Sequence, residues 1–196
     1  MVVRSATLKR ETRETVIEMT LEITGKSGKL NGTTGIGFFD HMLNSFCVHG
    51  GFEITLDVRG DLYVDAHHTV EDTGIVLGML FGKILGDKKG IKRYGFGVVP
   101  MDEALAQAVA DISGRPYLVY NCIQTASRTG DYDTQLTEEF MRALAFNMGA
   151  TLHIKAEYGV NQHHITEAIY KAVARAVREA TELTGDDSVL SAKGVL

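Results

Sequence analysis

Histidine is the residue type whose spacing in this chain invites a chemical reading. Five of the seven histidines fall in Leu152-His153-Ile154 and in two dipeptides, His67-His68 and His163-His164, and each dipeptide is followed three residues later by a glutamate, Glu71 or Glu167. On a helix, positions three and four apart share a face, so either ring of a dipeptide reaches its glutamate. Adjacent positions diverge by about 100° around the axis, so the two rings point apart and suit two ions, one each. His41, in Phe-Phe-Asp-His-Met-Leu, and His153, which alternates against apolar neighbours, complete an inventory of six imidazoles and two carboxylates. This divides into two sites of three His and one Glu. The proposed division is His41, His68, Glu71 and His164 on one metal, with His67, His153, His163 and Glu167 on the other. The halves then contribute to each other's sites, which places the sites at an interface within or between chains. A single His-His pair at a helix start is ordinarily a surface feature; its recurrence with the same glutamate spacing argues for ligation. His49 stays outside the ligand set, because Gly50 follows it and a helix C-terminus accommodates a histidine equally well. A mixed His₃Glu shell with open positions fits Mn, Fe, Co or Zn, and the lack of thiolate ligands weighs against structural zinc.

The elements that must position these residues are legible from periodicity. Residues 15–24 alternate as a strand, 25–28 form a turn, and a second extended segment runs towards Gly37. Residues 38–49 read as a helix stopped by Gly50-Gly51, residues 52–58 as a strand, 59–61 as a turn, 62–64 as a short strand, and a helix runs from His67 to about Leu85. The second half repeats the order. Strands at 106–113 and 117–122 are joined by Ser-Gly-Arg-Pro, a helix at 137–148 ends at Gly149, a strand follows at 151–157, and His163-His164 opens a strongly amphipathic helix. Laying one His-His motif over the other, and Gly50 over Gly149, implies a duplicated α+β unit of roughly 90 residues. The expected class is α+β, a doubled β-β-α-β-β-α-like unit with four-stranded sheets packed with helices. The expected division is 1–95, 96–185, and a tail at 186–196.

Composition excludes several classes. A chain of 196 residues with 44% hydrophobic and 23% charged residues is ordinary globular material. Twenty basic against 25 acidic residues give a net charge of −5, so no basic field points to nucleic acid or an anionic membrane. The first ten residues lack the apolar core of a signal peptide. The most apolar run, residues 74–85, is too short to span a bilayer and contains Lys83. Two cysteines make no disulfide framework. A cytoplasmic protein is expected.

Longer motifs resemble the imidazoleglycerol-phosphate dehydratase family: GFFDHML (37–43), GDLYVDAHHTVEDTG (60–74), VPMDEAL (99–105), DISGRPYLV (111–119), LHI with HHITEA, and SAKGVL (191–196). They span nearly the whole chain, and nothing resembles the phosphatase domain of bifunctional relatives. The resemblance implies a doubled fold like domain 2 of ribosomal protein S5. It implies a lyase of histidine biosynthesis that dehydrates D-erythro-imidazole-glycerol phosphate to imidazole-acetol phosphate. It further implies two Mn²⁺ per site and a homo-oligomer of 24 subunits with active sites between chains. The small phosphorylated imidazole is then the partner, its ring held through both nitrogens as imidazolate; hydroxyl loss through a diazafulvene-like species gives an enol and then the ketone. Glu14 matches a family glutamate that contacts substrate and is assigned to proton transfer or hydroxyl positioning; Glu71 and Glu167 count as catalytic as well as ligating. Asp102 is a weaker acidic candidate, since an acidic pair after Pro100 also reads as a helix start. Arg93, Arg115, Lys171, Ser191 and Lys193 match the substrate-binding set, with Arg suited to forked phosphate contacts, and His49 joins them as a substrate contact. Two departures stand out: Asn44-Ser45 replaces the family's usual Asp-Gln, and Ala192 sits where Thr is common.

Two rival readings share these residues. A di-metal hydrolase would also use paired ions, but such sites are dominated by bridging carboxylates, whereas imidazoles here outnumber carboxylates six to two. A metal-stapled assembly protein would leave the Arg and Ser-x-Lys set idle.

Overall fold

The computed structural model describes residues 4–194 and 196; residues 1–3 of the opening segment and Val195 of the tail motif lie outside the described residues. In chain order the elements are β1 (Arg4–Glu11), β2 (Thr15–Ile23), β3 (Lys29–Asn31), α1 (Gly37–Gly50), β4 (Phe52–Gly60), α2 (His67–Leu85), β5 (Tyr94–Met101), β6 (Ala104–Asp111), β7 (Tyr117–Cys122), β8 (Arg128–Thr129), β9 (Tyr132–Asp133), α3 (Leu136–Met148), β10 (Thr151–Tyr158) and α4 (Gln162–Thr181). Alternation drives the central strands: Ile17, Met19, Leu21 and Ile23 of β2 all turn inward and are buried. The first sheet has the order β1-β2-β4-β3 and the second β5-β6-β10-β7. In each, the first three strands pair antiparallel and the fourth joins parallel.

Helices α1 and α2 pack on the first sheet and α3 and α4 on the second, while α2 meets α3 and α1 meets α4. The helices therefore fill the space between the two sheets, and the α+β duplication holds. The order within each half is three strands, helix, strand, helix, which corrects the β-β-α-β-β-α-like unit. The reason is local: residues 62–64 form a turn instead of a strand, and an edge strand of each sheet lies at the start of its half, in β1 and β5. The β8–β9 hairpin is an addition of the second half with no counterpart among the described residues of the first.

Matching devices set the ends of the matching helices. Asp65 accepts from the His67 N–H at 2.7 Å, and Asn161 accepts from the His163 N–H at 2.9 Å, so each His-His pair opens a helix two residues after a capping side chain. Helices α1 and α3 end in left-handed glycines with nearly the same backbone angles, Gly51 (φ 69, ψ 38) and Gly149 (φ 68, ψ 38). The equivalent of Gly149 is thus Gly51, one residue beyond the Gly50 of the sequence alignment.

The packing of α4 depends on two glycines of β5. A Cβ on Gly95 would stand 2.1 Å from the Ala176 carbonyl oxygen and one on Gly97 2.3 Å from that of Ala172. Missing side chains at these inward positions let the helix backbone rest directly on the strand.

The outer faces differ. That of the first sheet carries Lys9, Glu11, Glu18, Glu53 and Asp57. On the second, Phe96 lies opposite Val109, and Val109 and Val119 flank His153 in register. Phe96 is 66% exposed and Val109 49%.

Candidate functional site

The two His-x-x-Glu helices begin near the N-terminal turn of α1. His163 packs edge-on against Phe38 at 5.1 Å between centroids, and a groove of about 650 Å³ runs past Gly37, Phe38, His67 and Arg128. In both dipeptides the ring centroids stand 6.1 Å apart and nearly perpendicular, at 85° for His67/His68 and 76° for His163/His164. The divergence expected from helical geometry is present in both copies.

The tightest cluster forms in the second copy. His41, His163 and Glu167 place one donor atom each within 4.8 Å of one another. Glu167 Oε2 lies 3.3 Å from His163 Nε2 and 3.5 Å from His41 Nε2, while its Oε1 accepts a 2.7 Å bond from Lys171 Nζ. Burial alone would raise the Glu167 pKa, but the Lys171 bond and the nearby imidazoles outweigh it and hold the carboxyl below its usual value. Two nitrogens and an anionic oxygen converging at this spacing form a donor set of the kind that divalent transition metals take. Within the chain α1 packs on α4, so His41 stands beside His163 and Glu167, residues that the division made from sequence assigns to the other metal.

The first copy is more open. His67 Nε2 lies 3.8 Å from Glu71 Oε2, both side chains being over two-fifths exposed. The neighbouring Asp72 is buried and bound by Arg10 and by the Thr15 hydroxyl, so of this acidic pair only Glu71 remains available.

His68 and His164 have carboxylates on both sides. His68 Nδ1 lies 3.0 and 3.2 Å from the two oxygens of Asp61, with Glu14 Oε1 3.8 Å from its Nε2. His164 Nδ1 is 2.7 Å from Glu103 Oε2, with Asp102 3.7 Å from Nε2. The bond to Asp61 raises the His68 pKa and the bond to Glu103 raises that of His164. Glu103 is lowered to about 2, first by His164 and then by the Asn161 N–H. Asp102 and Glu103 sit in the β5–β6 hairpin turn, not at a helix start. Asp61 and Glu103 were not singled out from sequence; the available signal was an acidic residue in the run leading into the first dipeptide and another beside Asp102.

The remaining candidates fall elsewhere. His153 is exposed on the outer face of the second sheet, among Val109 and Val119, and away from the His41 cluster. His49 sits in the last turn of α1, its pKa lowered by burial and by the charges of Lys171 and Arg175. Arg93 and Arg115 meet at Asp111: Arg93 Nε donates to Oδ1 at 2.7 Å, and Arg115 Nη2 lies 3.6 Å from Oδ2. Arg93 Nη1 also donates to the Leu190 carbonyl at 2.5 Å, which ties the tail carrying Ser191 and Lys193 to this corner. Lys171, by contrast, is engaged by Glu167 at the imidazole end. Of the departures, Asn44 accepts from the Leu30 N–H and so braces β3, and Ser45 is buried.

The corner and the imidazole clusters lie at opposite ends of the second sheet. Arg93 precedes β5 and Asp111 ends β6, whereas Asp102 and Glu103 fill the turn at the other end. Eight residues of β5 separate them, about 24 Å at strand rise.

The model of the family described as imidazoleglycerol-phosphate dehydratase matches residues 34–177. A protein of that name from Clostridium botulinum (strain Langeland) is 55% identical over 188 residues, covering 95% of each chain. One from Acetivibrio thermocellus is 52% identical over 194 residues, covering 98% of this chain and 99% of its own. The crystal structure of the dehydratase from Staphylococcus aureus superposes with a TM-score of 0.82 at 39% identity, covering 92% of this chain and 99% of that one. The structure from Pyrococcus furiosus, in complex with (S)-C348, gives 0.81 at 35% identity over 96% and 100%. No helix among the described residues is long and apolar enough to cross a membrane. A fold, a histidine pattern and near-complete sequence coverage that all agree decide against the hydrolase and stapling readings: this chain belongs to the imidazoleglycerol-phosphate dehydratase family and is a hydro-lyase of histidine biosynthesis.

Proposed function

We propose that this chain dehydrates D-erythro-imidazole-glycerol phosphate to imidazole-acetol phosphate in a metal-dependent reaction, with two Mn²⁺ per site. The observation that carries the metal dependence is the convergence of His41, His163 and Glu167 within 4.8 Å. The ligands proposed are His41, His67, His68, Glu71, His153, His163, His164 and Glu167. Bound there, the metal supplies Lewis-acid polarisation of the substrate's imidazole through its nitrogens. The chain's own groups do the rest. Glu14, exposed beside His68, moves a proton or positions the departing hydroxyl, and Glu71 and Glu167 keep negative charge against the ligand set. Arg115, Ser191 and Lys193 hold the phosphate at the Asp111 corner, where Arg93 anchors the tail and offers its charge. Lys171 and His49 complete the substrate contacts at the imidazole end.

The separation of that corner from the clusters supports active sites shared between chains. A phosphate and an imidazole joined by a three-carbon chain cannot bridge about 24 Å. An exposed apolar sheet face around His153 supports burial against another copy. We read the assembly as the family's 24-mer, in the cytoplasm, with the halves 1–95 and 96–185 as scaffold and 186–196 as the substrate-binding tail. The test is incubation of metal-stripped and Mn²⁺-reconstituted protein with imidazole-glycerol phosphate, following the ketone. Turnover only after reconstitution is expected, and equal turnover in the stripped protein would overturn the metal dependence.

A further inference from the structure

We propose that Asp61 and Glu103 are positioning residues that fix the tautomer of His68 and His164, so that each ring presents Nε2 as its ligating nitrogen. The inference rests on the reading of these two histidines as metal ligands. A neutral imidazole carries one N–H and one lone pair, and the hydrogen bond made by one nitrogen decides which nitrogen keeps the proton. An ionised carboxylate only accepts. With Asp61 at 3.0 Å from His68 Nδ1 and Glu103 at 2.7 Å from His164 Nδ1, both rings keep the proton on Nδ1 and turn the Nε2 lone pair outward. The nearest carboxylates on the other edge, Glu14 and Asp102, stand 3.8 and 3.7 Å from Nε2, too far to claim it.

Ancestry does not explain the likeness. Glu14 and Glu103 occupy equivalent places, each just before the second strand of its sheet, yet Glu14 faces Nε2 and Glu103 bonds Nδ1. In the first half the Nδ1 partner comes instead from Asp61, just after β4. Two non-equivalent chain positions converge on one arrangement, so what the halves share is the orientation of the ring.

The two carboxylates differ in their own anchoring. Glu103 Oε1 accepts the N–H groups of Asn161 at 2.7 Å and Val160 at 3.2 Å, which leaves Oε2 for His164. Both Asp61 oxygens face His68 alone among the described residues. Glu103→Gln must therefore keep its oxygen on the backbone and turn its NH₂ towards Nδ1, which forces the proton onto Nε2. Asp61→Asn is free to rotate its oxygen towards Nδ1 and preserve the tautomer.

The experiment compares Mn²⁺ affinity by calorimetry with histidine tautomers by solid-state NMR of metal-free, ¹⁵N-histidine-labelled protein. Glu103→Gln is expected to convert one histidine from the Nδ1-H to the Nε2-H form and to weaken Mn²⁺ binding about 10–100-fold. Asp61→Asn is expected to keep both tautomers and to lose less than about 10-fold, and Asp61→Ala more than Asp61→Asn. Unchanged tautomer and affinity in Glu103→Gln, while His164→Ala loses Mn²⁺, would overturn the positioning role alone. Unchanged Mn²⁺ binding in both His68→Ala and His164→Ala would instead overturn the ligand reading beneath it.

Discussion

The same His-His-x-x-Glu pattern opens α2 and α4, but one copy arrives assembled and the other open. In α4, Glu167 is buried, bonded to Lys171 and flanked by His163 and by His41 from a different helix. In α2, Glu71 faces only His67 among the described residues, at 3.8 Å, with much of its side chain in solvent. The capping and ring divergence are alike in both, so the motif itself is not what differs. What differs is the neighbourhood: α1 lays His41 against α4, and four residues after Glu167 comes Lys171 where Glu71 has Ile75. A duplicated motif sets the directions of its side chains, and the packing around it sets their charge and rigidity.

The strongest way to break this contrast is to remove one imidazole from each copy. His68→Ala and His164→Ala are each expected to abolish turnover and weaken metal retention, measured by ketone formation and metal content; full activity in either would show that its copy is dispensable. Stability should then separate the copies. Glu167→Ala leaves the largely buried Lys171 without its partner and should cost about 2–4 kcal/mol in denaturant unfolding of metal-free protein, whereas Glu71→Ala should stay within about 0.5 kcal/mol. Equal losses would mean that the environments are equivalent. The smallest effect is in acid. Carboxylates at Nδ1 raise His68 and His164 above the ordinary 6.5. In metal-free protein the charged pairs therefore stabilise fully below pH 6.5, and that contribution is lost as pH rises through the raised values. Metal needs the same rings unprotonated, so as pH is lowered Mn²⁺ uptake at limiting metal should begin to fail before pH 6.5 is reached. An acid limb confined below 6.5 would show that the carboxylates do not govern the rings.

Much of this was written in the sequence because it rests on short-range geometry. Strand β2 alternates cleanly, and the helix after His163 carries an apolar stripe that only α4 explains. Two first strands escaped for opposite reasons. In β1, inward Ala6 and Leu8 sit between charged residues and remain half-buried at the sheet edge, so the pattern is faint. Strand β5 is read inside out: Phe96 and Val98 point to solvent and Gly95 and Gly97 point to the core, because the core surface there is a helix backbone at contact distance. Residue type and spacing nominate the eight histidine and glutamate candidates but do not say which of them stand together within the chain, since α1 meets α4 across more than a hundred residues of chain. Nor does spacing reveal that the guanidinium of Arg93 is committed to Asp111 and to the chain end.

The distance between the Asp111 corner and the imidazole end has a genetic corollary. With active sites shared between chains as proposed, subunits carrying His164→Ala and subunits lacking residues 191–196 should each be crippled in every site they build with their own kind. Co-assembled, the first lends an intact corner to the intact cluster of the second. At equal random mixing about a quarter of the sites become whole, so two defective alleles should rescue one another.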